Sequence, residues 1–150
     1  MDVTVVGTGA MGAPVTLNLV KAGFAVGVWN RDLSRAERLF DAGAVPAPGP
    51  DEGFGAPVVL SVLADDAAVR EVFLDSSALD GMGPGTVHAN LATISPSLAQ
   101  EAAQRHAAAG VGYVAAPMFG GVPVAEAGRL NIVTGGVAES VNRVRPYLDV

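Results

Sequence analysis

"VVGTGAMGAP", residues 5–14, sets three glycines, Gly7, Gly9 and Gly12, at a Gly-x-Gly-x-x-Gly spacing. The spacing alone is a weak signal, and its flanks decide what it means. On one side DVTVV (2–6) is a short β-branched run that reads as a buried strand. On the other, Met11, Val15, Leu19 and Ala22 recur at helical spacing, predicting one face of a helix that Gly23 stops. Pro14 then falls in the first turn, where a missing N–H costs least. Strand, glycine loop and helix in that order form the setting of a dinucleotide loop. Gly7 would allow the tight turn, Gly9 the approach of a pyrophosphate, and Gly12 close packing of helix on sheet. The helix start would offer Thr8, Ala10 and Met11 backbone groups and a partial positive charge to the phosphates. The competing reading is an ordinary glycine-rich junction.

Outward from the loop, strands and helices alternate. FAVGVWN (24–30) predicts a second strand, and Asp32 caps a helix through LSRAERLFDA (33–42) that ends at Gly43. PAPGPDEGFGAP (46–57) reads as loop with at most one helical turn. VVLSVL (58–63) is a third strand, a helix follows near DAAVREVF (66–73), and GTVHAN (85–90) is another strand. Ser95-Pro96 supplies an N-cap and an N1 proline to SLAQEAAQRHAAAG (97–110). YVAAP (113–117) and RLNIVTGG (129–136) read as later strands. AESVNRVRPYL (138–148) reads as a final helix interrupted or ended at Pro146. The order predicts a Rossmann-type α/β fold: a doubly wound, mostly parallel sheet in a three-layer sandwich, one domain over 1–150.

Composition narrows the function classes. A net charge of −6 argues against nucleic acid as a partner. No apolar stretch nears the eighteen residues of a membrane span, and Met1 runs almost directly into the first strand without a leader pattern. A cytoplasmic setting is expected. The absence of cysteine excludes disulfides and thiolate metal sites, and no metal is expected. Eight of the nine basic residues are arginine, so Lys21 is the only lysine.

The end of the second strand selects among dinucleotides. An NAD site usually has Asp or Glu there, binding the ribose 2′-hydroxyl. Here the stretch reads VWNRDLSR, with Asn30 at the acidic position. Loss of that carboxylate removes repulsion toward a 2′-phosphate, and Arg31 and Arg35 offer forked donors to it. Asp32 opposes this unless it is used as the helix cap, and the two arginines also read as a solvated face. NADP(H) is the expected cofactor.

VVGTGAMGAPVTLNLVKAGFAVGVWNR (5–31) resembles the N-terminal region of the β-hydroxyacid dehydrogenase family, which includes 3-hydroxyisobutyrate dehydrogenases, glyoxylate reductases and imine reductases. NLATISPSLAQEAA (90–103) is similar to its D-x-S-T-I-S-P segment. AAPMFGGVPVAEAGRLNIVTGG (115–136) is similar to its D-A-P-V-S-G-G segment with a downstream double glycine. The resemblance covers essentially all 150 residues. It implies that Leu63 and Ala64 border the cofactor, that Thr93 stands near the nicotinamide end, and that Gly120 and Gly121 face the substrate. Thr93 also reads as a turn residue before the Ser95 cap.

Where the family motif has Asp, Ser, Asp and Ser, this chain has Asn90, Ala92, Ala115 and Phe119. Ala92 and Phe119 strip hydroxyl donors from the substrate side, and a carboxylate without partners is costly to desolvate. An imine or a bulkier carbonyl compound is thus expected ahead of a small hydroxyacid. The resemblance also implies a C-terminal all-helical domain carrying the proton donor, and family members that are homodimers or larger. On that expectation the chain stops before the helical half. Lys21 lies too far along the first helix to serve, His88 reads as a satisfied core or edge residue, and His106 as solvated. Two other classes compete: a non-catalytic NADP-binding sensor or interaction module, and an S-adenosylmethionine-dependent transferase, which Asn30 disfavours.

Overall fold

Strand alternation puts two different helix layers on one sheet. The computed structural model describes all residues, Met1–Val150. The strands are β1 (Val3–Val6), β2 (Val26–Trp29), β3 (Val45–Pro46), β4 (Val58–Ser61), β5 (Val87–Asn90), β6 (Gly112–Ala115), β7 (Met118–Phe119), β8 (Asn131–Ile132) and β9 (Gly135–Gly136). The helices are α1 (Gly12–Lys21), α2 (Glu37–Asp41), α3 (Asp66–Val69), α4 (Ala78–Met82), α5 (Pro96–Ala108), α6 (Val122–Glu126) and α7 (Ala138–Leu148). The main sheet runs β3-β2-β1-β4-β5-β6-β9, parallel except for β9. The expected Rossmann-type doubly wound fold is what forms. Strand order reverses between β1 and β4, which opens a crevice at their C-terminal ends. No helix is long and apolar enough to cross a membrane.

Because successive strand residues point to opposite faces, Val3, Val5, Val58, Leu60, Val87 and Ala89 join Leu19, Leu39 and Val144 in one core layer. Val6 and Val59 join Val69, Phe73, Leu98 and Ala102 in the other. The central strands β1, β4 and β5 are buried on both faces, mostly by apolar side chains.

Several local details differ from the sequence reading. The inward face of α1 is Gly12, Thr16 and Leu19, while Met11 and Val15 are only half-buried. Close approach of Gly12 to the loop fixes the rotation of the helix, and Thr16 Oγ1 satisfies itself on the Gly12 carbonyl at 2.8 Å. The α2 segment begins as a 3₁₀ turn over Leu33–Ala36, and Arg70–Leu74 closes as a π turn after α3. RLNIVTGG is two short strands: β8 pairs with β7, and β9 lies antiparallel on β6. Pro146 stands inside α7, which runs on to Leu148; in the last turn its ring removes only one backbone bond.

The stretch 46–57, expected as loop with at most one helical turn, holds a core element. Gly53 and Phe54 adopt φ +58° and +62°, and Phe54 is fully buried between Trp29 and Phe73. A Cβ on residue 53 would lie 2.3 Å from the Gly81 backbone, so only glycine fits there. The Phe54 carbonyl is satisfied by Thr4 Oγ1 at 2.8 Å.

His106 is the clearest correction: expected in solvent, it is completely buried. It follows Leu98 and Ala102 at four-residue spacing, so α5 turns a Leu-Ala-His stripe to the sheet. His88, on β5, is also buried; its ring stacks on Phe73 with centroids 3.9 Å apart. Burial lowers His106 to about 4 and takes His88 well below its usual range, so both are neutral at pH 7. As pH falls below the ordinary histidine value of 6.5 the unfolded chain takes up protons that the folded chain refuses. Stability is therefore full above pH 6.5 and drains away toward pH 4. His106 alone accounts for a loss of about 2 kcal/mol between pH 7 and pH 5, read from urea midpoints at the two pH values. Replacement of His106 by phenylalanine should flatten that slope, and an unchanged slope would refute the assignment.

Candidate dinucleotide site

Each glycine of the loop is required for a different reason. Gly7 has φ +96°, and a Cβ there would meet the Val62 carbonyl oxygen at 2.4 Å. A Cβ on Gly12 would lie 2.0 Å from the Gly7 carbonyl oxygen. Gly9 is the opposite case: a Cβ would find nothing within 4 Å. Packing requires two of the glycines, while the third borders open space above the start of α1.

Asn30 is more than a missing carboxylate. Its Oδ1 accepts from the Thr8 N–H at 3.1 Å and its Nδ2 donates to the Asp32 carbonyl at 2.7 Å. The carboxamide thereby ties the glycine loop to the end of β2. The Thr8 hydroxyl is buried without a partner, a polar atom left for a ligand or water. Asp32 does cap the following turn. Its carboxylate accepts from the Ser34 N–H and hydroxyl at 3.1 and 2.7 Å, and the hydroxyl bond above all holds it below its usual range.

Two clefts flank the loop. One, of about 380 Å³, has Gly9, Ala10, Met11 and Gly12 on one wall and Val62, Leu63 and Ala64 beyond the end of β4. Leu91, Ala92 and Thr93 beyond β5, with Met118 and Gly120, complete it. Most of the residues expected near the nicotinamide and substrate are thus gathered at one place. Phe119 and Gly121 are not among its walls: Phe119 is 56% exposed and Gly121 precedes α6. The other cleft, of about 490 Å³, runs from Thr8, Gly9 and Ala10 to Arg35 and Arg38, with Glu126 on its edge. Arg38 was not singled out in the sequence; three residues past Arg35, it shares that wall by helical spacing. Arg31 is not among the walls of this cleft and pairs with Glu71 at 2.7 Å. Lys21 is exposed at the far end of α1.

The turn carrying Thr93 is held at both ends. Asn90 Oδ1 accepts from the Ala92 N–H at 3.1 Å. The Asp66 carboxylate accepts from the Ser95 N–H at 2.8 Å and its hydroxyl at 2.6 Å, and the hydroxyl contact chiefly lowers its pKa. Sequence reading found Ser95 as a cap but not Asp66, whose partner lies 29 residues away.

A glycine cradle at the switch point, open at Gly9 and held to the end of β2, suits a dinucleotide. Fold and site together define a dinucleotide-binding α/β domain. Residues 2–150 match the family described as the NAD binding domain of 6-phosphogluconate dehydrogenase, and the chain belongs to that family. The 3-hydroxyisobutyrate dehydrogenase of Pseudomonas aeruginosa is 35% identical over 153 residues, 99% of this chain and 50% of that protein. The structure of Psf3 in complex with NADP+ and 2-OPP superposes with a TM-score of 0.91 at 31% identity, covering 98% of this chain and 53% of that one. The imine reductase from Pseudomonas sp. gives 0.88 at 26% identity, covering 98% and 51%. The chain spans about half the length of the curated relatives it matches.

Gly9 and Gly12 should separate binding from folding. Gly9→Ala is expected to leave the urea midpoint within about 0.5 kcal/mol of the parent while weakening dinucleotide binding about tenfold, as expected where backbone must approach a pyrophosphate. Gly12→Ala is expected to cost about 1–3 kcal/mol of stability through overpacking. A destabilised Gly9→Ala with unchanged binding would reverse the assignment.

Proposed function

We propose that the chain is the NADP(H)-holding half of an oxidoreductase acting on a small carbonyl, hydroxyacid or imine substrate. The observation that carries the reading is the cradle open at Gly9, with Asn30 in place of a carboxylate and arginines beyond it. The preference for a 2′-phosphate is supported by charge. Asn30 is neutral and already bonded, and the Asp32 carboxylate is engaged by Ser34. Arg31 is held only by Glu71, with both side chains largely exposed. Such a pair contributes about 0–1 kcal/mol, less than the roughly 1.5–3 kcal/mol of a hydrogen bond to a charged group. A 2′-phosphate therefore outcompetes Glu71 for Arg31, and Arg35 and Arg38 add charge from the neighbouring turn.

When bound, the cofactor supplies a hydride. The chain's own residues hold it, and Leu63, Ala64, Ala92, Thr93 and Gly120 shape the space beside it. General acid catalysis needs a proton donor within hydrogen-bond reach. Lys21 is remote, and His88 and His106 are sealed in the core. We assign the donor to a further, helical half of the whole protein, and expect these 150 residues to bind cofactor without turnover. The same lack of a donor favours the second reading, a non-catalytic NADP-binding sensor or interaction module.

Titration of the chain with NADPH and NADH tests the cofactor. NADPH should bind at least about tenfold more tightly, and Arg31→Ala with Arg35→Ala should erase most of that margin; equal affinities would remove the 2′-phosphate assignment.

The substrate preference rests on Ala92, which lines the 380 Å³ cleft and presents no hydroxyl to a carboxylate; Phe119, outside its walls, likewise carries none. A full-length enzyme should reduce cyclic imines or bulky ketones faster than it turns over 3-hydroxyisobutyrate or glyoxylate. Equal rates on the two panels would overturn the preference, and no turnover with either would favour the sensor.

A further inference from the structure

The α3–α5 face of the central strands carries a line of buried polar side chains that cofactor binding does not explain. Ser61 ends β4 and Asn90 ends β5, each one residue before a segment that borders the 380 Å³ cleft. Ser61 Oγ lies 2.7 Å from His88 Nε2, and His88 Nδ1 lies 2.8 Å from His106 Nε2. His106 Nδ1 lies 2.7 Å from the Ala102 carbonyl oxygen. Asn90 Oδ1 stands 3.1 Å from Ser61 Oγ and takes the Ala92 N–H, while its Nδ2 donates to the Tyr113 hydroxyl at 3.2 Å.

The direction of this chain follows from its end. A carbonyl only accepts, so His106 carries its hydrogen on Nδ1. A neutral ring has one N–H, which leaves His106 Nε2 bare and requires the donor on His88 Nδ1. His88 Nε2 is then bare too, and Ser61 donates to it over the shorter of its two contacts. Both rings adopt the tautomer that is less common in water. Asn90 Oδ1, left the weaker share of the Ser61 hydrogen, stays open for the Ala92 N–H.

We infer that His88 and His106 are positioning residues for the cofactor cleft: a one-way hydrogen-bond chain runs from the Ala102 carbonyl through both rings to Ser61 and sets the ends of β4 and β5, where Asn90 passes it to the turn carrying Ala92 and Thr93. This rests on the reading that the cleft holds the cofactor. All the links are buried, so a lost partner cannot be replaced by water, and the strand ends must shift to find another.

The test uses the 150-residue chain. Nitrogen-15 spectra of the histidine rings at pH 7 should show hydrogen on Nδ1 and a bare Nε2 in both. His88→Gln keeps an acceptor for Ser61 through its Oε1, whereas His88→Leu removes it. NADPH binding should weaken about fivefold in His88→Leu, the equivalent of one net hydrogen bond, with a displaced Ala92 amide resonance. In His88→Gln both readouts should stay near the parent, with affinity within about twofold. An Nε2–H on either ring overturns the proposal, as does equal behaviour of the two variants. Should His88→Leu fail to fold, the ring spectra and His88→Gln still decide. A parent chain that binds no NADPH refutes the cofactor reading instead, while the ring spectra and the Ala92 amide go on testing the hydrogen-bond chain.

Discussion

Helix α1 meets the loop before it through backbone, since a Cβ on residue 12 would stand 2.0 Å from the Gly7 carbonyl oxygen. That contact sets the rotation of the helix, and through it which residues face the sheet. It also aims the start of α1 across the ends of β1 and β4. Gly7 transmits the same constraint to β4, because its own missing Cβ lets the Val62 carbonyl approach. Two absent side chains thus fix the relation of three elements. Gly9, between them and free of contacts, inherits open space.

The second organising feature is the alternation of strand faces. Buried on both sides, the central strands present apolar residues toward α1, α2 and α7, but also Thr4, Ser61, His88 and Asn90 toward α3, α4 and α5. A buried polar group must find a partner or cost stability. Thr4 finds the Phe54 carbonyl, which anchors the left-handed turn, and the other three join His106 in one network. Of these residues, Ser61 and Asn90 end their strands beside the cleft.

These features divide by how far their causes extend along the chain. The strand–loop–helix order, the Ser95 and Asp32 caps and the glycine loop were legible, because short-range spacing and turn chemistry determine them; the placing of 63–64 and 92–93 beside that loop came only from the family resemblance. The rotation of α1 was not, because it depends on contact across the loop and not on the apolar stripe of Met11 and Val15. Phe54 was hidden by its left-handed backbone, which no local preference of phenylalanine signals. His106 was hidden by the polarity of its helix, although its spacing from Leu98 and Ala102 held the clue. Arg31 and Asp66 face partners 40 and 29 residues away, beyond any local pattern.

Net charge bears differently on the two kinds of anion considered. A long polyanion samples the whole surface and is repelled by a chain at −6. A phosphate at one site responds mainly to charges within about 8 Å at physiological salt. Around the loop those include the backbone N–H groups at the start of α1 and the guanidinium groups of Arg35 and Arg38, opposed by Glu126 on the rim and by the Asp32 carboxylate 3.8 Å from Arg35 Nε. Asn30 contributes by being neutral there, with its oxygen accepting from the Thr8 N–H. In the proposed reading, discrimination for the extra phosphate needs both the arginines and the engagement of the Asp32 and Glu71 carboxylates near the end of β2.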